Sequence, residues 1–315
     1  MIHDLLIIGG GCAGLAGAMY AGRMQLRTLV LLGELPGGTI TTTDVVENYP
    51  GFIRLTGKEL ADKLLAHAKD YKEFVTFVDE TATALARTKE GFRATAGGKG
   101  YDSRTVLLAT GMKHRSLNVP GEKELWARGV HNCALCDGAF YKNKTVAVIG
   151  GSDSAGKEAL LLTQWAANVL VLARSTFHPE PINASRATAN KRIEVHEGVQ
   201  VKAINGTKGE KGIAKVSSLL LDKPVNGSTT LPVDAVFVEI GADPVTALAK
   251  AVGVALNKKG EVLIDRNSAT NVPGFYAAGD CADTRFKQAI TGAAEAVLAV
   301  YSAYTYLNEA TVKPR

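Results

Sequence analysis

Cys133 and Cys136 stand two residues apart in "GVHNCALCDGAF", with Asp137 directly after the second thiol and His131 two before the first. Two thiols at this spacing can clip a metal, form a fixed bridge, or make and break a disulfide. A structural zinc site wants four ligands, and this CxxC is answered by neither a second CxxC nor a paired His motif, so no metal is expected. The remaining cysteines, Cys12 and Cys281, make four in 315 residues, too few for a disulfide scaffold. Both read as small packing residues. Asp137 can pass a proton to a thiolate or be an ordinary helix acid, and His131 reads as a satisfied loop residue.

Such a pair must be carried by a fold, and the glycines indicate which one. "HDLLIIG" reads as a buried strand, residues 13 to 24 as a small-residue helix and "RTLVLL" as a second strand. Between the first strand and the helix, Gly9, Gly11 and Gly14 form G-x-G-x-x-G, which gives a tight turn, backbone approach to a pyrophosphate and close helix packing. The acid that usually follows for the ribose is absent; Glu34 is the nearest carboxylate. "KTVAVIGGSDSAGKEALLLTQWAANVLVLAR" repeats strand, turn, helix and strand from Lys144 to Arg174. Here Ser152 occupies the close-approach position, and the stretch after the second strand supplies only Arg174 for a 2′-phosphate.

The expected fold class is α/β, with two Rossmann-like nucleotide-binding domains of three-layer ββα type, the second inserted in the first. Residues 1–114 and 245–315 form the outer domain and 115–244 the inserted one carrying the CxxC. Strand-like runs near 193–204, 213–221 and 233–240 follow the second unit, and "GFYAAGDCADTRFKQAITGAAEAVLAVYSAYTYL" reads as strand, loop and long helix.

The formal charge of +5 is scattered, without a basic stripe or interleaved aromatics, so nucleic acid is not an expected partner. No apolar run reaches the roughly 18 residues of a membrane span. The N-terminus leaves no room for a leader, from which a cytoplasmic address is expected.

With these residues in place, the chain resembles the low-molecular-weight thioredoxin reductases over nearly its whole length. "GGGCAG", "PGG" with "TTTDVVENYPGF", "ATG", "CALCDG", "GGSDSAGKEA" and "TNVPGFYAAGDCADTRFKQA" carry the likeness in order and spacing. The resemblance implies a homodimer, FAD in the outer domain and a redox-active Cys133/Cys136 disulfide in the inserted one. It implies that Cys136 faces the flavin, that Cys133 attacks the disulfide of a thioredoxin-like protein and that Asp137 handles the proton. For the cofactor it implies Gly9, Gly11, Gly14 and Gly38 at the phosphates, Asn48 at the flavin ring, and Thr110, Gly111, Gly279 and Asp280 along the chain between. Gln288 and Ala289 then place amides at the flavin from the start of the long helix, with Lys287 where many relatives have arginine. The family rotates its inserted domain, which makes 112–119 and 241–247 candidate hinges.

The departures fall in the nicotinamide region. NADPH-using members carry a third glycine at the position of Ser152 and a His-Arg-Arg run at Leu172, Ala173 and Arg174. Each lost charge-assisted bond is worth ~1.5–3 kcal/mol, and two such losses weaken NADPH binding by roughly a hundredfold or more. NAD(P)H is therefore doubtful, and the chain resembles members that take electrons from reduced ferredoxin or a flavodoxin-type carrier, with room for a second flavin in the inserted domain. Two other readings stay open: a conventional NADPH- or NADH-dependent enzyme with a divergent pocket, and a flavin-bound redox sensor or interaction protein.

Overall fold

The computed structural model describes residues 2–43, 46–208 and 214–312. Asp44 and Val45 of "TTTDVVENYPGF", and Ile213 at the start of one expected strand, lie outside the described residues. The chain divides into two compact units, Met1–Lys113 with Asp243–Arg315, and His114–Ala242. At the two crossings the strands β7 (Met112–His114) and β16 (Ala242–Pro244) pair as a ribbon.

In the outer unit, the strands β1 (Ile2–Ile8), β2 (Thr28–Leu31), β3 (Val75–Val78), β4 (Ala82–Arg87), β5 (Phe92–Ala96), β6 (Lys99–Leu108) and β17 (Phe275–Ala277) form one sheet. The order runs β3-β2-β1-β6-β5-β4, and β17 pairs in parallel with the end of β6. β1 is a central parallel strand, so both its faces are covered and its apolar residues run without alternation. Leu5 and Ile7 pack on one side with Leu15, Val30, Leu107 and Val300; Leu6 and Ile8 pack on the other with Leu29, Val106 and Phe275. The first side is roofed by helices α1 (Cys12–Arg23) and α7 (Ala289–Val312). Helix α2 (Gly57–Lys69) starts from a capping box in which the Thr56 hydroxyl accepts from the Glu59 amide and the Glu59 carboxylate accepts from the Thr56 amide. A short helix, α6 (Ala247–Ala251), lies on the second side through Ala249.

In the inserted unit, five parallel strands run in the order β11 (Ile193–Glu197), β10 (Asn168–Ala173), β9 (Thr145–Ile149), β15 (Ala235–Val238) and β8 (Val130–His131). Val146 and Val148 of β9 face helices α3 (Ala134–Asp137) and α4 (Asp153–Leu162) through Ala134, Ala155 and Leu162. Helix α5 (Pro181–Ala189) lies beside α4. Ala147 and Ile149 face an antiparallel sheet of β12 (Val201–Lys208), β13 (Ala214–Val225) and β14 (Ser228–Pro232) through Val201, Leu219 and Leu231. Helices, parallel sheet and antiparallel sheet thus make three layers, an α/β fold with two Rossmann-like units. Among the described residues no helix is long and apolar enough to cross a membrane.

Candidate functional site

Cys133 and Cys136 are joined by a disulfide, with their Cα atoms 5.4 Å apart. Cys133 is the N-cap of α3, its sulfur accepting from the Cys136 amide at 3.2 Å. Cys133 is buried and Cys136 exposed. A sulfur at an N-cap meets amide dipoles, which favours the thiolate once the bridge opens. Gly138, immediately after Asp137, lets this turn lie against Trp165: a Cβ there would come within 2.8 Å of the indole.

Asp137 is held from the side. Its carboxylate lies 2.9 Å from His131 Nδ1, while Nε2 of the same ring lies 2.8 Å from the Tyr141 hydroxyl. His131 is 6% exposed and stacks on Phe237 at 5.4 Å between centroids. Burial lowers the imidazole pKa and Asp137 partly opposes it, so at neutral pH the ring is uncharged. Burial, with the charges of Asp137 and Asp234, pushes the Tyr141 hydroxyl up to about 12. Tyr141 therefore donates to Nε2, and Nδ1 donates to Asp137. His131 thus belongs to the site, although its sequence position reads as an ordinary loop histidine. The spacing to Tyr141 gave no signal, because the two meet only through the turn of the CxxC segment.

A second group reaches the same segment from behind. Glu158 on α4 accepts the amide of Ala134, the first residue of α3. Glu239, one residue beyond β15, is 4% exposed. Glu158 lies in "GGSDSAGKEA", whereas Glu239 belongs to none of the motifs named above.

The second glycine turn lies in the same unit. Gly150 is at φ +153°, where a Cβ would collide with the Glu239 carbonyl, and a Cβ at Gly151 would meet the Thr176 carbonyl. Ser152 is the N-cap of α4, makes no capping bond, and shares a 3.0 Å contact with Ser154 Oγ. Leu172 and Ala173 are buried, and Arg174 alone of those three is exposed.

In the outer unit, the first turn brings backbone against backbone at three glycines. Gly9 is at φ +118°, and a Cβ there would sit 2.2 Å from the Ala109 carbonyl; at Gly14 it would sit 1.9 Å from the Gly9 carbonyl. Gly38 (φ +72°) lies over Gly11, so that a Cβ on Gly38 would press 2.8 Å from the Gly11 Cα. Gly11 caps α1 without a side chain, and the first turn holds no acid, so its amides are left for an anion. Gly279 (φ +76°) brings the loop against Ala13 and Gly292, which sets Asp280 beside this turn. Burial raises the Asp280 pKa and Lys287 opposes it. Lys287 donates to the Asp280 and Ala282 carbonyls and pairs with Glu261 at 3.1 Å. Asn48 donates to Gln288 Oε1 at 3.1 Å, just ahead of Ala289, where α7 begins. The Thr110 hydroxyl donates to the Val245 carbonyl, and Gly111 accepts from the Val245 amide. The sequence-derived cofactor residues of this unit thus cluster about one turn and the start of one helix. Cys12 is pushed up to about 11 and Cys281 upward as well, both chiefly by burial, so both thiols stay protonated.

A family model, pyridine nucleotide-disulphide oxidoreductase, matches residues 3–296. The chain belongs to this family. It is 37% identical over 310 residues to a thioredoxin reductase of Listeria innocua, covering 98% of this chain and 95% of that one. The crystal structure of Lactococcus lactis thioredoxin reductase in its FR conformation superposes with a TM-score of 0.90 at 31% identity, covering 98% and 99% of the two chains. A ferredoxin-flavin thioredoxin reductase from Clostridium acetobutylicum aligns at 28% identity and TM-score 0.53, covering 99% of this chain and all of that one. The chain is accordingly a thioredoxin reductase-like flavoenzyme, an FAD-dependent disulfide oxidoreductase. The uncapped amides of α1 and the glycine cradle above them suit a pyrophosphate, so the residues present fit FAD.

Proposed function

We propose that the chain carries electron pairs through FAD and the Cys133/Cys136 disulfide to the disulfide of a thioredoxin-like protein, and that its donor is a reduced carrier of the ferredoxin or flavodoxin kind. The outer unit is the FAD domain and the inserted unit the disulfide domain in this reading. When bound, FAD supplies the two-electron chemistry between donor and disulfide. Gly9, Gly11, Gly14 and Gly38 hold its phosphates by close backbone approach, and Asp280, Asn48, Thr110, Gly111 and Gly279 line the rest. Lys287 fixes the loop that presents Asp280, and Gln288 and Ala289 direct the amide end of α7 at the cofactor. Cys133 is the sulfur that attacks the partner protein, Cys136 the one opposed to the cofactor. Asp137, oriented by neutral His131, holds the proton that leaves and returns with the thiolate.

The observation that carries the donor assignment is the second turn. Ser152 stands where a pyrophosphate would press, and of Leu172, Ala173 and Arg174 only Arg174 is a cation. The turn therefore obstructs the close approach of a phosphate and gives a 2′-phosphate few charged partners. The likeness to the Clostridium protein supports the same reading. A second reading, NADPH or NADH through a divergent pocket, draws on the intact tight turn at Gly150 and Gly151. A second flavin in place of that nucleotide belongs to the same proposal. Exposed Leu298, Tyr301 and Tyr304 on α7 support a homodimer.

An anaerobic titration tests the donor. Oxidised flavin should persist beside stoichiometric NADPH and bleach with reduced ferredoxin; rapid bleaching by NADPH would overturn the assignment. A dithiol form that binds thioredoxin without reducing it would make the chain a sensor instead of a reductase.

A further inference from the structure

Both ring nitrogens of His131 are engaged. Nδ1 lies 2.9 Å from the Asp137 carboxylate and Nε2 lies 2.8 Å from the Tyr141 hydroxyl, so one imidazole joins the acid after Cys136 to a phenol on the turn Gly138–Tyr141. The ring is held on its face and its edge. It stacks on Phe237 at 5.4 Å, Tyr141 meets it edge-on at 5.5 Å, and Tyr141 stands at 89° to Phe237. At 6% exposure, with a partner on each nitrogen, the imidazole trades protons with those two partners rather than with water. Orienting Asp137 requires Nδ1 alone. The bond at Nε2 continues the chain to Tyr141, which is half-buried and so retains access to solvent.

The charged groups acting on these rings are Asp137, which acts on both, and Asp234, which acts on Tyr141 from the residue before β15. Asp234 is itself taken up by Lys144 at 3.3 Å and by the Thr145 amide. On α4, packed against α3, the Glu158 carboxyl receives the Ala134 amide and Lys157 pairs with Asp153. The Asp137 side chain is 32% exposed. Any group that closes on Cys136 to give it electrons displaces water from this neighbouring carboxylate, and a proton then has to come from the protein side.

We propose that Tyr141, His131 and Asp137 form a proton relay from solvent to Cys136. The S–S bond breaks as two electrons enter it from the reduced cofactor. Cys133 Sγ keeps its negative charge at the N-cap, and Cys136 Sγ takes a proton from Asp137 to become a thiol. Nδ1 of His131 resupplies Asp137, Nε2 takes the proton of the Tyr141 hydroxyl, and water reprotonates the phenol oxygen. One electron pair and one solvent proton enter, and one thiolate and one thiol result. The imidazole stays neutral and exchanges one tautomer for the other. Burial and the charges of Asp137 and Asp234 push the Tyr141 hydroxyl up to about 12, so a free tyrosinate is disfavoured and the proton shifts run together. His131 and Tyr141 act through Asp137 and are positioning residues. The relay rests on the disulfide cycling of the proposed function and is independent of the donor.

The test uses the full holoprotein, reduced anaerobically with dithionite and then mixed rapidly with diamide, which closes the Cys133/Cys136 disulfide. Return of the oxidised flavin absorbance, at diamide concentrations where its rate no longer rises, reports electrons passing from cofactor to disulfide without any donor. Tyr141→Phe keeps the ring and removes the hydroxyl, and His131→Asn keeps a donor to Asp137 that has no second nitrogen to pass a proton on. Each should slow the return at least roughly tenfold, the low end of what a positioned proton donor supplies. If His131 only orients Asp137, His131→Asn keeps the rate of the unaltered protein, and that result would overturn the relay, as would an unslowed Tyr141→Phe. A second measurement needs no variant: as D2O replaces water, the rate in the unaltered protein should fall along a bowed curve, the mark of several protons moving together. A straight line would overturn the relay, because one moving proton needs no chain. Cys136→Ser should show no return at all. A return at full rate in that variant would mean that electrons bypass the disulfide, which overturns the proposed electron path and the relay with it, and so separates the two failures.

Discussion

Glu239→Gln should make the protein more stable in alkali while changing it little in mild acid. The carboxyl has an ordinary pKa of 4.5 and is raised to about 8 in the fold, by burial first and by Glu158 second. Between those two values the unfolded chain releases a proton that the folded chain keeps, so stability falls as pH rises through the window and is lowest above it. Three and a half decades at 1.36 kcal/mol each set a ceiling of about 5 kcal/mol. Local rearrangement and water entry, together with the coupling to Glu158, reduce the measurable part to roughly 2 kcal/mol. The amide keeps the volume and can still bond Ser154, so no cavity offsets the gain. Thermal melts at pH 5.5 and pH 9 check this. The variant should melt near the protein's own temperature at the lower pH and roughly 4–8 °C above it at the higher one. The same displacement at both pH values would show that Glu239 is ionised in the fold, and would refute the burial argument.

Cys136→Ser should leave Cys133 free to attack and trap a thioredoxin-like protein as a mixed disulfide visible on a non-reducing gel, whereas Cys133→Ser should trap nothing; both should abolish turnover. His131→Phe removes the donor to Asp137, a bond to a charged group worth ~1.5–3 kcal/mol, so single-turnover reduction of the disulfide should slow by roughly ten- to a hundredfold. Because burial lowers the His131 and His114 pKa values, the unfolded chain binds more protons below its own value of 6.5, and stability should fall as pH drops beneath 6.5, as denaturant midpoints would record. Gly14→Ala forces a Cβ onto the Gly9 carbonyl, and the purified variant should carry less than a tenth of the flavin absorbance per chain.

The outer framework was legible because its signals are local. The unbroken apolar run of β1 marks a strand covered on both faces, and glycine at 9, 11 and 14 marks a turn where backbone meets backbone at distances no Cβ tolerates. The CxxC spacing is local too, and in the fold Cys133 is the N-cap of the short helix that carries Cys136. The expected long helix begins at Ala289, beside the Gln288 that meets Asn48 across 240 residues, a contact no spacing could announce. One strand-like stretch over 193–204 is in fact two strands, β11 and β12, in different sheets, because Gly198 at φ +69° turns the chain between them. The groups that tune the disulfide were the least legible. His131 and Tyr141 carry no motif and meet beside Asp137 only through the fold, and Glu158, though within "GGSDSAGKEA", gives no hint in the sequence that it takes the Ala134 amide of the CxxC turn.

The most direct test of the account is an anaerobic reductive titration of the holoprotein with dithionite, following flavin absorbance and alkylated cysteine in the same samples. The account predicts that the protein accepts two electron pairs per chain, that thiols appear on Cys133 and Cys136 before the flavin is fully bleached, and that Cys136→Ser accepts one pair. A disulfide that stays closed beside fully reduced flavin would contradict it.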